Sequence, residues 1–364
     1  MTEAPWRRRF RAPQVSLPGW ARANPGRLLY GSNSPGKWEL FAWDLASGRH
    51  RQVTDRPEGT GRGRLTPLGH WIWWFDDDRG SEFGRWRHQK FSGGPSQPAA
   101  ALPEAYPNGL ALGSRGLAVV GLSDDSGSSL HVLRLGRPAQ LLYHHREDAS
   151  VEGLSRDERL VSIEHSEHGD SRHPAVRVMD LAGRAVADLW DGPGHGLEAG
   201  PWSPRPGDQR LILLHERAGL QRPAIWSPVR GELRELEIDL PGEVGATWYP
   251  DARALLLAHD HQARTQLYRL DLETARLERL DHPPGTIEAA QVRPDGEVWY
   301  HWSSAAQPPQ VRADGRLLLR PPGEAAPAGV PFQDLWVNGV HAFLAEPFAP
   351  RPHPTVFGVH GGPA

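Results

Sequence analysis

A short cue recurs along the chain: a turn rich in Pro, Asp or Gly, followed by an apolar run. It reads Asn24-Pro25-Gly26 before Leu28-Leu29-Tyr30, Thr66-Pro67-Leu68-Gly69 before Trp71-Ile72, and Ser114-Arg115-Gly116 before Leu117-Ala118-Val119. It returns at Ser155-Arg156-Asp157, Ser203-Pro204-Arg205-Pro206-Gly207, Tyr249-Pro250-Asp251 and Arg293-Pro294-Asp295-Gly296. Seven cues spaced 41 to 48 residues apart match the length of a four-stranded propeller blade. A unit of that size cannot bury both faces alone, but stacking units around an axis buries them. The expectation is an all-β, seven-bladed β-propeller over residues 17–322.

An internal match supports strands rather than helices. Residues 28–53 align without a gap on residues 255–280. Leu28, Leu29, Leu40, Asp44, Leu45 and Arg49 fall on Leu255, Leu256, Leu267, Asp271, Leu272 and Arg276. A third copy runs Val178-Met179-Asp180-Leu181. Residues 252–282 lack Gly and Pro and could be helical alone, but their counterpart holds Pro35, Gly36 and Gly48, which break helices. The repeated Asp suits a tight turn, because its carboxylate accepts backbone N–H groups two residues on. Trp43, Trp73, Trp74 and Trp226 are expected between blades.

Composition narrows function. The net charge is −3, with 41 basic and 44 acidic residues, which argues against a general nucleic-acid binder. No residue is Cys, so disulfides, thiolate metal sites and cysteine nucleophiles are excluded. No stretch of 18 apolar residues is present to span a membrane. Arg7, Arg8, Arg9 and Arg11 precede no apolar core of a signal peptide. Residues 1–16 therefore read as a solvated arm, and a cytoplasmic location fits. No phosphate-binding loop or dinucleotide fingerprint follows a strand, so no cofactor is expected.

The end of the chain changes character. Residues 323–330 read as a linker. Two apolar runs flank Asn338-Gly339, the signal of a hairpin. Pro354-Thr355-Val356-Phe357-Gly358-Val359 reads as a buried strand feeding His360-Gly361-Gly362-Pro363. In α/β hydrolases a loop of this type supplies a backbone N–H to an oxyanion hole, and glycine lets the backbone approach the developing charge.

A propeller running into Thr355-Val356-Phe357-Gly358-Val359-His360-Gly361-Gly362-Pro363 resembles the prolyl oligopeptidase family of serine peptidases. The acylaminoacyl-peptidase and dipeptidyl-peptidase-like branches are nearest in pattern. Leu17-Pro18-Gly19-Trp20-Ala21-Arg22 and Trp38-Glu39-Leu40-Phe41-Ala42-Trp43-Asp44 carry the likeness too. The resemblance implies that residues 331–364 begin an α/β-hydrolase domain and that the propeller limits access to short peptides. It makes His360, Gly361 and Gly362 the oxyanion-hole loop. It also implies that the nucleophile, Asp and His lie beyond residue 364, because no serine here sits in Gly-x-Ser-x-Gly. The nearest, Ser123 and Ser155, lack the second glycine. The expected partners are a short peptide substrate and that hydrolase domain, with no nucleic acid and no membrane. The competing reading is a non-catalytic propeller that serves as a binding or scaffold module.

Related peptidases hold a substrate's amino terminus with propeller carboxylates and its carbonyls with arginines. By that resemblance Asp77, Asp78, Arg79 and Glu82 are the candidate substrate-binding residues; the alternative is a solvated turn with local ion pairs. Glu164, His165, Glu167, His168, Asp170 and His173 form a second polar cluster. The spacing of His165 and His168 suits a metal poorly on one strand face, so no metal site is expected and a loop lining the funnel is. His144, His145, His259 and His261 are expected at exposed strand ends.

Overall fold

The computed structural model describes residues 4–77 and 79–359. The repeat length holds, and its cause is visible in the burial of each unit. The second strands carry long buried runs: Leu211–His215 and Val298–Trp302 are buried at every position, His215 and His301 included. An alternating pattern would suit one covered face, whereas these strands are packed on both. The fourth strands are the opposite. Arg49–Gln52 and Glu232–Glu235 are charged and mostly exposed, which blunts the free edge they present.

The arrangement corrects the expectation of seven separate blades. Among the described residues, five four-stranded sheets stand alone, over residues 19–52, 63–98, 197–235, 243–279 and 286–319. Residues 106–189, where two further blades were expected, form one eight-stranded sheet. Its two halves join where Tyr106–Leu112 runs parallel to Ala149–Leu154, bridged at Gly109 and Val151. Gly109 makes the approach possible: its φ is +98°, and a Cβ there would lie 2.2 Å from the Val151 carbonyl oxygen. Asn108 reinforces the seam, donating from Nδ2 to the Ala149 carbonyl at 2.7 Å and to Asp148 at 2.9 Å. The sheet curls so that Leu117, Val119 and Leu130 of one half share a core with Val161, Ile163 and Met179 of the other.

Elsewhere the sheets pack face to face. Leu211, Leu213 and Trp226 meet Val176 and Val178, while Leu255 and Leu257 meet Ile212 and Ile225. A fully buried leucine such as Leu256 contributes about 2 kcal/mol relative to an exposed one. Trp43, Trp73, Trp74 and Trp226 are buried, as expected. The ring closes between the first and last sheets, where Leu28, Tyr30 and Trp43 pack with Trp299, Val311 and Leu319. Arg293 lies between the Trp20 and Trp299 rings, 5.0 and 4.4 Å from their centroids, and donates to the Pro25 carbonyl at 3.0 Å. The turn aspartates act as read: Asp271 accepts the Glu273 and Thr274 N–H groups, and Asp180 those of Ala182 and Arg184.

The two ends depart from expectation. The basic arm is a short helix, Pro5–Arg11, exposed along most of its length, with Arg9 half-buried. Its guanidinium donates to the carbonyls of Ala305, Ala306 and Pro327, tying the arm to the last sheet and to the segment that follows it. The hairpin forms as read, with Gln333–Val337 pairing antiparallel with Val340–Leu344. Asn338 and Gly339 at its turn both have positive φ, at 50° and 81°. Residues 354–359, however, do not form a strand, and Val356 and Phe357 are 95% and 86% exposed. An apolar run becomes a buried strand only when ladders form on its edges, and no described strand pairs with this one. Among the described residues no α/β-hydrolase sheet is formed. No helix among the described residues is long and apolar enough to cross a membrane.

Candidate functional site

Each four-stranded unit is a meander, so the turn joining its second and third strands leaves at the same end as the start of its innermost strand. These turns touch in succession around the ring. Trp38 accepts the Thr60 N–H, and Arg56 reaches Asp76 at 2.8 Å. The Phe83 ring meets Tyr106, and the Gln221 carbonyl accepts the Val244 N–H. The last such turn bonds through Ala306 to Gly329. One rim of the propeller is thereby defined, and the hairpin sits on it: Arg264, beside the turn after His261, holds Asp334 with two hydrogen bonds of 2.6 and 2.8 Å.

The first sequence candidates occupy this rim. Asp77 ends the strand Trp71–Asp77. Its Oδ2 accepts the Glu82 N–H at 3.1 Å, while its Oδ1 is buried with no hydrogen bond. Arg79 and Glu82 have left-handed backbones, φ 56° and 61°, so the run makes a tight turn as well as presenting charge. Asp78 lies outside the described residues, as do His360, Gly361 and Gly362.

The second cluster is drawn into protein contacts. His165 is buried against Asp188 at 3.0 Å, and His168 bonds the His173 carbonyl at 3.0 Å. Arg177 bridges Glu167 and Asp188 and holds the Glu167 carboxyl down at about 2. His259 is not the exposed strand end expected. It is buried, bonded to the Pro241 carbonyl and stacked on His261. Its position facing the connection between two sheets carries no periodic signature in the sequence.

Of that cluster, Glu164 opens onto something the sequence did not disclose. Together with Arg172, Glu198, His215, Glu216 and Gln221 it lines a rim cavity of about 210 Å3. These residues come from neighbouring sheets, so no spacing links them. Each carboxylate has a fixed partner. Glu164 accepts the Ala199 N–H at 2.8 Å, Glu198 accepts Gln221 Nε2 at 2.9 Å, and Glu216 accepts the Gly196 N–H at 3.0 Å. Burial, and then the charge of Glu152, pushes the Glu164 carboxyl up to about 8, so it is a proton donor at neutral pH. Burial also raises Glu198. His215 is 6% exposed, its Nδ1 has no hydrogen bond, and burial lowers its pKa, keeping it neutral. The cavity thus offers carboxylate acceptors, a carboxylic acid donor and a neutral imidazole. That set can hold an amine or an amide.

No serine, threonine or cysteine lines this cavity. Ser129 and His131 make a serine–histidine hydrogen bond at 3.1 Å, but no described hydrogen bond orients that imidazole with a carboxylate.

The fold is shared with a solved prolyl endopeptidase. The match, to a structure from a study of two prolyl endopeptidases and the role of inter-domain dynamics in their catalysis and specificity, has a TM-score of 0.68 at 18% identity. It covers 84% of this chain and 48% of that one, so the chain spans about half the length of that structure. Such identity speaks for shared architecture. No protein-family model matches the chain. No curated protein matches it either.

Proposed function

We propose that this chain is the substrate-gating propeller part of a serine-type peptidase that acts on short peptides. The observation that carries the reading is the placing of hairpin and polar cavity on one rim, with Arg264 bonded to Asp334 at one point and Glu164, Glu198 and Glu216 gathered at another. In this reading 323–330 is a linker and 331–364 starts the hydrolase domain. His360, Gly361 and Gly362 then shape half of an oxyanion hole, and Asp77, Asp78, Arg79 and Glu82 offer charge to a peptide at the rim. The cavity, at about 210 Å3, is below the size of a drug-type pocket and suits one terminal residue. Glu198 and Glu216 would face an ammonium group, and protonated Glu164 would donate to a carbonyl.

Calorimetric titration of the chain with a free tripeptide, its amino-acetylated form and a folded protein tests this. Saturable binding of the free tripeptide, weakened about tenfold by acetylation and by Glu198→Gln, is expected. The absence of Gly-x-Ser-x-Gly predicts no labelling by a fluorophosphonate. Affinity for the folded protein alone would favour a scaffold module, and stoichiometric serine labelling would place a nucleophile in this chain.

A further inference from the structure

The end of the propeller opposite the hairpin is built from two kinds of turn, first strand to second and third strand to fourth, because each meander turns back there. These turns are braced on one another. The Ala23 N–H donates to the Pro67 carbonyl at 2.7 Å, the Ser114 N–H to Glu158 at 2.8 Å, and Arg156 Nε to the Pro204 carbonyl at 3.1 Å. Arg22, from the sheet at 19–52, reaches over the ring to pair with Glu158 of the eight-stranded sheet. The turns therefore present one fixed face rather than separate loops.

One side of this face is basic, from the sheet at 63–98 through the eight-stranded sheet to the sheet at 197–235. Lys90, Arg115, Arg137, Arg205 and Arg230 are exposed there and Arg134 is half-buried. No hydrogen bond or ion pair joins their charged groups to a described residue. The acids of the same turns are mostly engaged: Glu158 with Arg22, Asp180 with Arg184, and Asp208 with Arg210. Asp157 is held inside its own turn by the Ser155 hydroxyl at 2.6 Å. Glu232 stands exposed beside Arg230, against that excess of arginine.

Apolar side chains stand at the tips of these same turns. Leu68, Leu135 and Val229 are 51%, 84% and 54% exposed. Leu135 is flanked by Arg134 and, after Gly136, by Arg137, and Val229 precedes Arg230. The tips are held in place. A Cβ added at Gly116 would lie 2.8 Å from the Leu135 Cβ, so that turn rests against Arg115-Gly116. Arg27 donates to the Gly69 carbonyl at 3.1 Å and fixes the turn that carries Leu68.

Unpaired arginine beside an exposed aliphatic tip matches the two layers of a bilayer surface. Headgroup phosphates accept from the guanidinium groups, and the acyl boundary takes the apolar tips. A nucleic acid would serve the arginines and leave leucine and valine in water. Bases stack on aromatic rings, and no Trp, Tyr or Phe is exposed among the described residues of these turns. The other end of the molecule gathers Glu164, Glu198 and Glu216, so a negative surface attracts this end and repels that one.

We infer that this basic side of the face docks on an anionic phospholipid surface, with Leu68, Leu135 and Val229 in the acyl boundary and the arginines among the phosphates. Attachment of this kind needs no spanning segment, and it turns the hairpin-bearing rim away from the lipid.

Co-sedimentation of the 364-residue chain with large vesicles tests the inference. Binding to vesicles of equal parts phosphatidylcholine and phosphatidylglycerol is expected, falling as salt rises, with binding to phosphatidylcholine alone about tenfold weaker or more. Arg134→Gln combined with Arg137→Gln should weaken it by about tenfold or more, at roughly fivefold per arginine. Leu135→Ser should weaken it severalfold, and Leu220→Ser, an exposed leucine in a turn of the opposite end, should leave it unchanged. All these side chains are at the surface, so Tm should stay at the parent value and separate lost binding from lost folding. No preference for the anionic vesicles, or indifference to both Leu135→Ser and the arginine pair, would overturn the inference. Loss of binding on Trp6→Ala instead would move the attachment to the N-terminal helix and overturn it too. Tighter binding of duplex DNA, weakened by the arginine pair but not by Leu135→Ser, would assign the face to nucleic acid in its place.

Discussion

Arg264 grips Asp334 through two near-parallel hydrogen bonds, at 2.6 and 2.8 Å, and His341 closes on the same carboxylate at 2.7 Å. The Arg264 guanidinium also lies 5.1 Å from the centroid of the Phe343 ring. One arginine from the propeller thus holds both strands of the hairpin. Arg264→Ala should raise amide exchange across 333–344 severalfold while leaving the exchange of 254–257 unchanged. Equal protection in the variant would show that the hairpin is held by other contacts.

The same pair sets a pH window. Arg264, then His341, lowers the Asp334 carboxyl from 3.8 to about 2. A depressed folded-state pKa gives stability that is present above the unfolded value and lost as pH falls through the folded one. Hairpin docking should therefore be intact at pH 5 and weaken between about pH 4 and 2. Exchange rates of 333–344 measured across that range check the sign, and Asp334→Asn should remove the dependence.

Glu164 works in the other direction. Its pKa is raised from 4.5 to about 8, chiefly by burial. A raised folded-state value for an acid means full stability below the unfolded pKa, with loss growing as pH rises toward the folded one. Stability should fall between pH 4.5 and 8 from this group, a window set by those two values. Glu164→Gln keeps an acceptor for the Ala199 N–H and should gain roughly 1–3 kcal/mol at pH 8 and little at pH 4. Urea unfolding at the two pH values measures the difference.

Closure of the ring depends on Arg293. It is 5% exposed, lies between Trp20 and Trp299, and bonds the Pro25 carbonyl. Arg293→Ala removes the stacking and leaves that carbonyl unbonded, which should cost about 2–4 kcal/mol. Thermal unfolding should report it, with early exposure of the first sheet seen in proteolysis.

The seam of the eight-stranded sheet rests on Gly109. Gly109→Ala would set a Cβ 2.2 Å from the Val151 oxygen in a left-handed backbone, so a loss of roughly 3 kcal/mol or more is expected. Gly136→Ala is the control: its φ is +71° with open space around the added carbon, and strain alone costs about 1 kcal/mol.

Strand periodicity, turn chemistry and the repeat length were legible in the residues themselves, because each arises from contacts a few positions apart. Asp44, Asp180 and Asp271 announced their turns, and Asn338-Gly339 its hairpin. Tertiary structure decided what distance in sequence hides. The joining of two expected blades into one sheet depends on how near Gly109 comes to Val151, and a count of cues carries no such distance. The rim cavity draws Glu164, Glu198 and Glu216 from neighbouring sheets, so its charge and its raised carboxyl exist only once those sheets pack. Residues 354–359 mark the same limit from the other side: apolar character proposes a strand, but only a neighbouring ladder can make one.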